Sequence, residues 1–90
     1  MAIAVRISPK QCTREDYERI MAELAQDGHS DPEGRMTHTS FGDDDVEIFE
    51  TWESHDHFEP YHDRMVTAMQ AAGCDAGLVV STDPVHRHVD

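Results

Sequence analysis

Seven histidines punctuate the 90-residue chain: His29, His38, His55, His57, His62, His86 and His88. An imidazole with an ordinary pKa near ~6.5 can bind a metal, take a proton at neutral pH or change charge with pH, so its neighbours decide its use. His55, Glu59 and His62 recur at i, i+4 and i+7, which lines them along one side of a helix. A metal there needs neutral imidazoles and a carboxylate converging on one point, and His-x-x-x-Glu-x-x-His is not a recognised zinc pattern, so no metal site is expected. Two readings remain for this trio: flank residues in solvent, or His62 as a general base at the edge of the Phe58, Tyr61, Met65 stripe. His38 is the second candidate base. It lies mid-strand beside Met36 and Ser40 on one face, and the plain alternative is an imidazole satisfied by a neighbouring hydroxyl or carboxylate. Tyr61 can donate a hydrogen bond to a developing oxyanion, while Trp52, Phe58 and Met65 are either the apolar wall of a substrate pocket or core.

Other clusters carry less chemistry. Asp43-Asp44-Asp45 lacks the spacing of a calcium-binding loop and reads as a solvated turn. Cys12 and Cys74 lie far apart with no C-x-x-C, which excludes a disulfide scaffold or a four-thiolate zinc site and leaves them as structural residues at helix ends. There is no Ser/His/Asp set, glycine-rich phosphate loop or basic patch. Seven basic against nineteen acidic side chains give a net charge of -12, which repels phosphate backbones and anionic lipid heads, so neither nucleic acid nor membrane is an expected partner. The opening apolar run is short and broken by Arg6, and no stretch approaches the ~20 apolar residues of a spanning helix. No signal peptide and a cytoplasmic location are the expectations.

The candidate residues need elements to position them. Ile3, Val5 and Ile7 alternate with polar or small residues, a strand closed by Pro9. Thr13 with Asp16 three residues on forms a capping-box start, Tyr17, Ile20, Met21 and Leu24 make a helical stripe, and Gly28 stops it. Residues 35–41 and 46–52 are β-like runs joined by the turn chemistry of Gly42 to Asp45. Val46, Ile48 and Trp52 share one face of the second run, Glu47, Phe49 and Thr51 the other. Ser54 caps a second helix with the stripe Phe58, Tyr61, Met65, Met69, Ala72, ending at Gly73, and Pro60 predicts a kink or separate first turn near Glu59. A last strand covers 78–82, and the tail 85–89 alternates again, with His86 and His88 on one face. The order βαββαβ predicts an α+β, ferredoxin-like fold: one domain over residues 1–90, an antiparallel sheet with two helices on one face. The other face also carries apolar residues, so a homodimer is expected to cover it.

The whole chain, with Gly34-Arg35-Met36-Thr37-His38 opening one strand and Phe49-Glu50-Thr51-Trp52-Glu53-Ser54 leading into an acidic helix, resembles the dimeric α+β barrel superfamily in its antibiotic biosynthesis monooxygenase-like branch. That resemblance implies cofactor-free oxygenases, polyketide cyclases, isomerases, haem-degrading enzymes and small proteins without assigned activity. Haem-degrading members carry a Trp nine residues after the Trp of this motif and a His ten further on. Tyr61 and Ala71 stand there, so haem chemistry is not expected. The expected function is a cofactor-independent oxygenase or cyclase acting on an aromatic or polyketide-like small molecule between sheet and helices, with His62, His38 and Tyr61 as acid/base groups. The alternative is a non-catalytic, small-ligand-binding or stress-associated protein on the same fold.

Overall fold

The computed structural model describes residues 1–28, 31–75 and 77–86. Six elements follow in the order β1 (Ile3–Ser8), α1 (Arg14–Gln26), β2 (Arg35–Phe41), β3 (Glu47–Trp52), α2 (His55–Ala71) and β4 (Val79–Pro84). The four strands form one antiparallel sheet in the order β2-β3-β1-β4. The two-residue alternation decides its faces. Ile3, Val5 and Ile7 are buried, as are Ile48, Glu50 and Trp52 opposite, while Ala4, Arg6 and Phe49 look away from the helices.

Both helices start where their caps predict. Thr13 accepts from the Asp16 amide and Asp16 accepts in return from the Thr13 amide, a bond that holds the Asp16 carboxyl below its ordinary pKa. Ser54 accepts from the His57 amide at the start of α2. Tyr17, Ile20 and Leu24 from α1 and Phe58, Tyr61, Met65 and Met69 from α2 turn inward onto the sheet and close the core. Full burial of each large apolar side chain stabilises by about 1.5–3 kcal/mol.

Three sequence expectations need correction. Of the two outcomes expected at Pro60, the separate first turn does not form, since the second helix runs from His55 to Ala71 with Pro60 inside it. Pro60 falls in the second turn on an exposed side, so only one backbone hydrogen bond near the helix start is forgone. The last strand is Val79–Pro84 rather than 78–82; Pro84 is tolerated because β4 is an edge strand. Met36 does not share a face with His38. Trp52 and Thr51 pair with Arg35 and Thr37, so Met36 is the extra residue of a β-bulge and joins Thr37 and Thr51 on the helix-free face. His29, and His88 with the alternation of the tail beyond His86, lie outside the described residues.

Candidate functional site

On β3 the inward positions read Ile48, Glu50, Trp52, a carboxylate where the pattern calls for an apolar side chain. The Glu50 side chain has no exposed surface. Burying a carboxylate costs several kcal/mol unless donors replace its water, and here three do. The Trp52 indole N–H donates to Oε1 at 3.0 Å, the Arg35 guanidinium to Oε2 at 3.3 Å, and His38 Nδ1 lies 2.5 Å from Oε2. The sheet register sets this up: His38 pairs directly with Glu50, and Arg35 with Trp52. The bulge at Met36 allows this, since it keeps both Arg35 and His38 on the helix side although they are three residues apart.

The far nitrogen of His38, Nε2, lies 2.6 Å from the Tyr17 hydroxyl, presented by the first turn of α1. A carboxylate only accepts, so His38 Nδ1–H donates to Glu50, and in the uncharged tautomer that this selects Nε2 presents its lone pair to Tyr17 and the phenol donates. The result is a Tyr17–His38–Glu50 relay of the form used to activate a hydroxyl: acid, oriented imidazole, orienting carboxylate. The Arg35 guanidinium also donates to the Tyr61 hydroxyl oxygen at 3.4 Å and lies over its ring. Burial first, and then the Glu50 charge, push the Tyr61 hydroxyl above the ordinary tyrosine range, so it keeps its proton at neutral pH. Tyr61 borders an open groove of about 380 Å³ between α2 and the loop before β2, alongside Pro32, His57, Pro60 and Arg64.

His38 and Tyr61 are thus joined through Arg35 and Glu50, whereas His62 stands apart. Its Nδ1 lies 3.3 Å from Asp63, its ring meets the edge of Phe58, and it faces a second groove between α2 and β4 with His55, Glu59 and Thr82. Trp52 and Met65 are fully buried and lie in the core with Tyr61, whereas Phe58, 3% exposed and in ring contact with Trp52, also borders the groove that His62 faces. The donor atoms of His55, Asp56 and Glu59, not those of the His55, Glu59, His62 trio, gather within 4.8 Å. All three are exposed within the first five residues of α2, where the amides of the helix N-terminus make the surroundings electropositive and disfavour a cation. Tyr17, Arg35 and Glu50 were not singled out by sequence reasoning. The signal that could have found them is the parity of Glu50 with Ile48 and Trp52: an acid on an inward face needs donors.

No family model matches the chain, and no curated protein matches it by sequence. Solved structures do match in shape. A proposed antibiotic biosynthesis monooxygenase from Caulobacter crescentus CB15 superposes with a TM-score of 0.68 at 18% identity, over 96% of this chain and 91% of that one. A point mutant of SnoaB, a cofactor-independent oxygenase from Streptomyces nogalater, gives 0.66 at 14% identity, covering 98% and 95%. A proposed antibiotic biosynthesis monooxygenase from Chloroflexus aurantiacus J-10-fl gives 0.61 at 20% identity, covering 97% of each chain. With two helices packed on one face of a four-stranded antiparallel sheet, the chain has the ferredoxin-like α+β fold of the antibiotic biosynthesis monooxygenase-like proteins.

Proposed function

We propose that the protein is a small-molecule enzyme of the cofactor-independent oxygenase or cyclase kind, with His38 as its general base. The observation that carries this reading is the imidazole held at both nitrogens, by Glu50 on one side and the Tyr17 hydroxyl on the other. Oxidising an electron-rich phenol and closing a poly-ketone both begin with loss of an acidic proton. His38 Nε2 takes that proton through, or in place of, Tyr17, and Glu50 stabilises the imidazolium that forms. Arg35 and the protonated Tyr61 hydroxyl supply positive charge and a donor for the oxyanion left behind. For an anthrone-like substrate the anion reduces dioxygen, giving a quinone and water. His62, the first choice from sequence, has no second partner of this kind among the described residues and becomes the control position.

The fold supports this kind of chemistry by analogy with SnoaB, and the substrate class rests on that analogy. Met36, Phe41, Phe49 and Val79 stand exposed on the helix-free face, and we propose a second copy of the chain as their cover. A competing reading, a ligand-binding protein without catalysis, is favoured by one observation: among the described residues every buried polar side-chain atom already has a hydrogen-bond partner. Oxygen uptake and product analysis with an anthrone and a linear poly-ketone separate the two. Turnover supports the enzyme; saturable binding without turnover overturns it in favour of the binding protein.

A further inference from the structure

Cys12 and Cys74 are far apart in the sequence but meet in the fold. The β1–β4 ladder ends with Ser8 opposite Val79, so residues 9–12, which follow β1, and Gly77 and Leu78, which precede β4, leave the same end of the sheet side by side. Their contact is close: a Cβ placed on Gly77 would lie 2.6 Å from the Lys10 side chain. Cys12 is anchored by its carbonyl, which accepts from the Val46 amide, and Cys74 by its amide, which donates to the Met69 carbonyl. Both side chains are at most 1% exposed in the same core cluster, and Cys74 is the neighbouring thiol that acts on Cys12. Two free, buried sulfurs in one core cluster, on neighbouring segments from opposite halves of the chain, are the starting geometry for a cross-link.

We infer that Cys12 and Cys74 are a modification site, a thiol pair that a hydroperoxide converts to an intramolecular disulfide tying the β1–α1 connection to the α2–β4 connection. One sulfur attacks the peroxide, the O–O bond breaks, an alcohol leaves and a sulfenic acid forms. The second sulfur then attacks the first, the S–O bond breaks and water leaves. Two thiols and one hydroperoxide give one disulfide, one alcohol and one water; the sulfurs together lose two electrons and the peroxide gains them. The pair is slow by construction. Burial, and then the neighbouring Cys74, push the Cys12 thiol up to about 12, so it is protonated at neutral pH, and bulky reagents cannot reach either sulfur until that end of the sheet opens. Once formed, the bond closes a loop holding α1, β2, β3 and α2, which restricts the unfolded chain and resists reduction.

The test treats the folded protein with hydrogen peroxide, blocks remaining thiols in denaturant and maps the tryptic peptides. The expected result is peptide 11–14 joined to peptide 65–87 at the mass of the two less two hydrogens, no free thiol, an unchanged oligomeric state and a melting temperature higher by on the order of 10 °C. Sulfinic or sulfonic acids on separate peptides overturn the inference. So does a disulfide between chains, or a cross-link that forms only when oxidation is carried out in denaturant, because each shows that the folded geometry does not bring the two sulfurs together.

Discussion

Glu50 fixes the chemistry of its neighbours more than any other residue. Three donors converge on one buried carboxylate, so removing it leaves the His38 Nδ1–H and the Trp52 indole N–H without that acceptor and takes from Arg35 the carboxylate that balances its charge. Breaking a buried ion pair in this way costs about 3–5 kcal/mol, and Glu50→Ala should lose that much stability in urea unfolding, with Glu50→Gln losing less because an amide oxygen can still accept. The same carboxylate dictates the His38 tautomer. A ¹⁵N spectrum of the imidazole should find the proton on Nδ1, with Nε2 unprotonated; a proton on Nε2 in the neutral ring would show that Tyr17 accepts rather than donates and would break the relay. Sequence reading named His38 and Tyr61 but could not join them, because the link runs through Arg35 and Glu50, whose meeting depends on sheet register.

At the scale of elements, most of the architecture was legible. Period-two runs, the Thr13 and Ser54 caps and the glycine stops give the order βαββαβ directly, and Gly28 and Gly73 take the positive φ that helix ends require. The bulge at Met36 was not legible, since an inserted residue leaves alternation intact on each side and reveals itself only through pairing with β3. Gly34 guards the same junction. It has φ +88°, and a Cβ there would lie 2.5 Å from the His57 side chain. Gly34→Ala therefore meets both backbone strain of about 1–2 kcal/mol and a clash with α2. The expected outcome is a lower melting temperature together with a displaced His57 resonance; an unchanged melting temperature would mean that the loop before β2 adapts freely.

For the whole molecule, the sheet has one face closed by helices and one left open, where Phe41 stacks on Phe49 and Arg6 lies over the Phe49 ring. Among the described residues no helix is long and apolar enough to cross a membrane. Light scattering after gel filtration should give about twice the 10.2 kDa of one chain, and Phe49→Glu should shift the mass toward the monomer. A wild-type mass near that of one chain at micromolar concentration contradicts the dimer. Stability should also fall on the alkaline side. Burial holds the Cys12 thiol at about 12 against an ordinary 9.0 and raises the Tyr61 hydroxyl above its ordinary 10.0. The folded state thus keeps protons that the unfolded state releases, so this contribution is complete at neutral pH and is lost as pH rises from about 9. Melting temperatures from pH 8 upward should decline, and Tyr61→Phe should flatten the part of that decline that begins near 10.

The central claim is that His38, oriented by Glu50, is the base. Its most direct test is the turnover of an anthrone-like or poly-ketone substrate by His38→Ala beside His62→Ala, with circular dichroism confirming that both variants are folded. A positioned base contributes about 10²–10⁴-fold. His38→Ala should therefore lose activity by that order while His62→Ala stays close to wild type; full turnover in His38→Ala, or a loss confined to His62→Ala, contradicts the account.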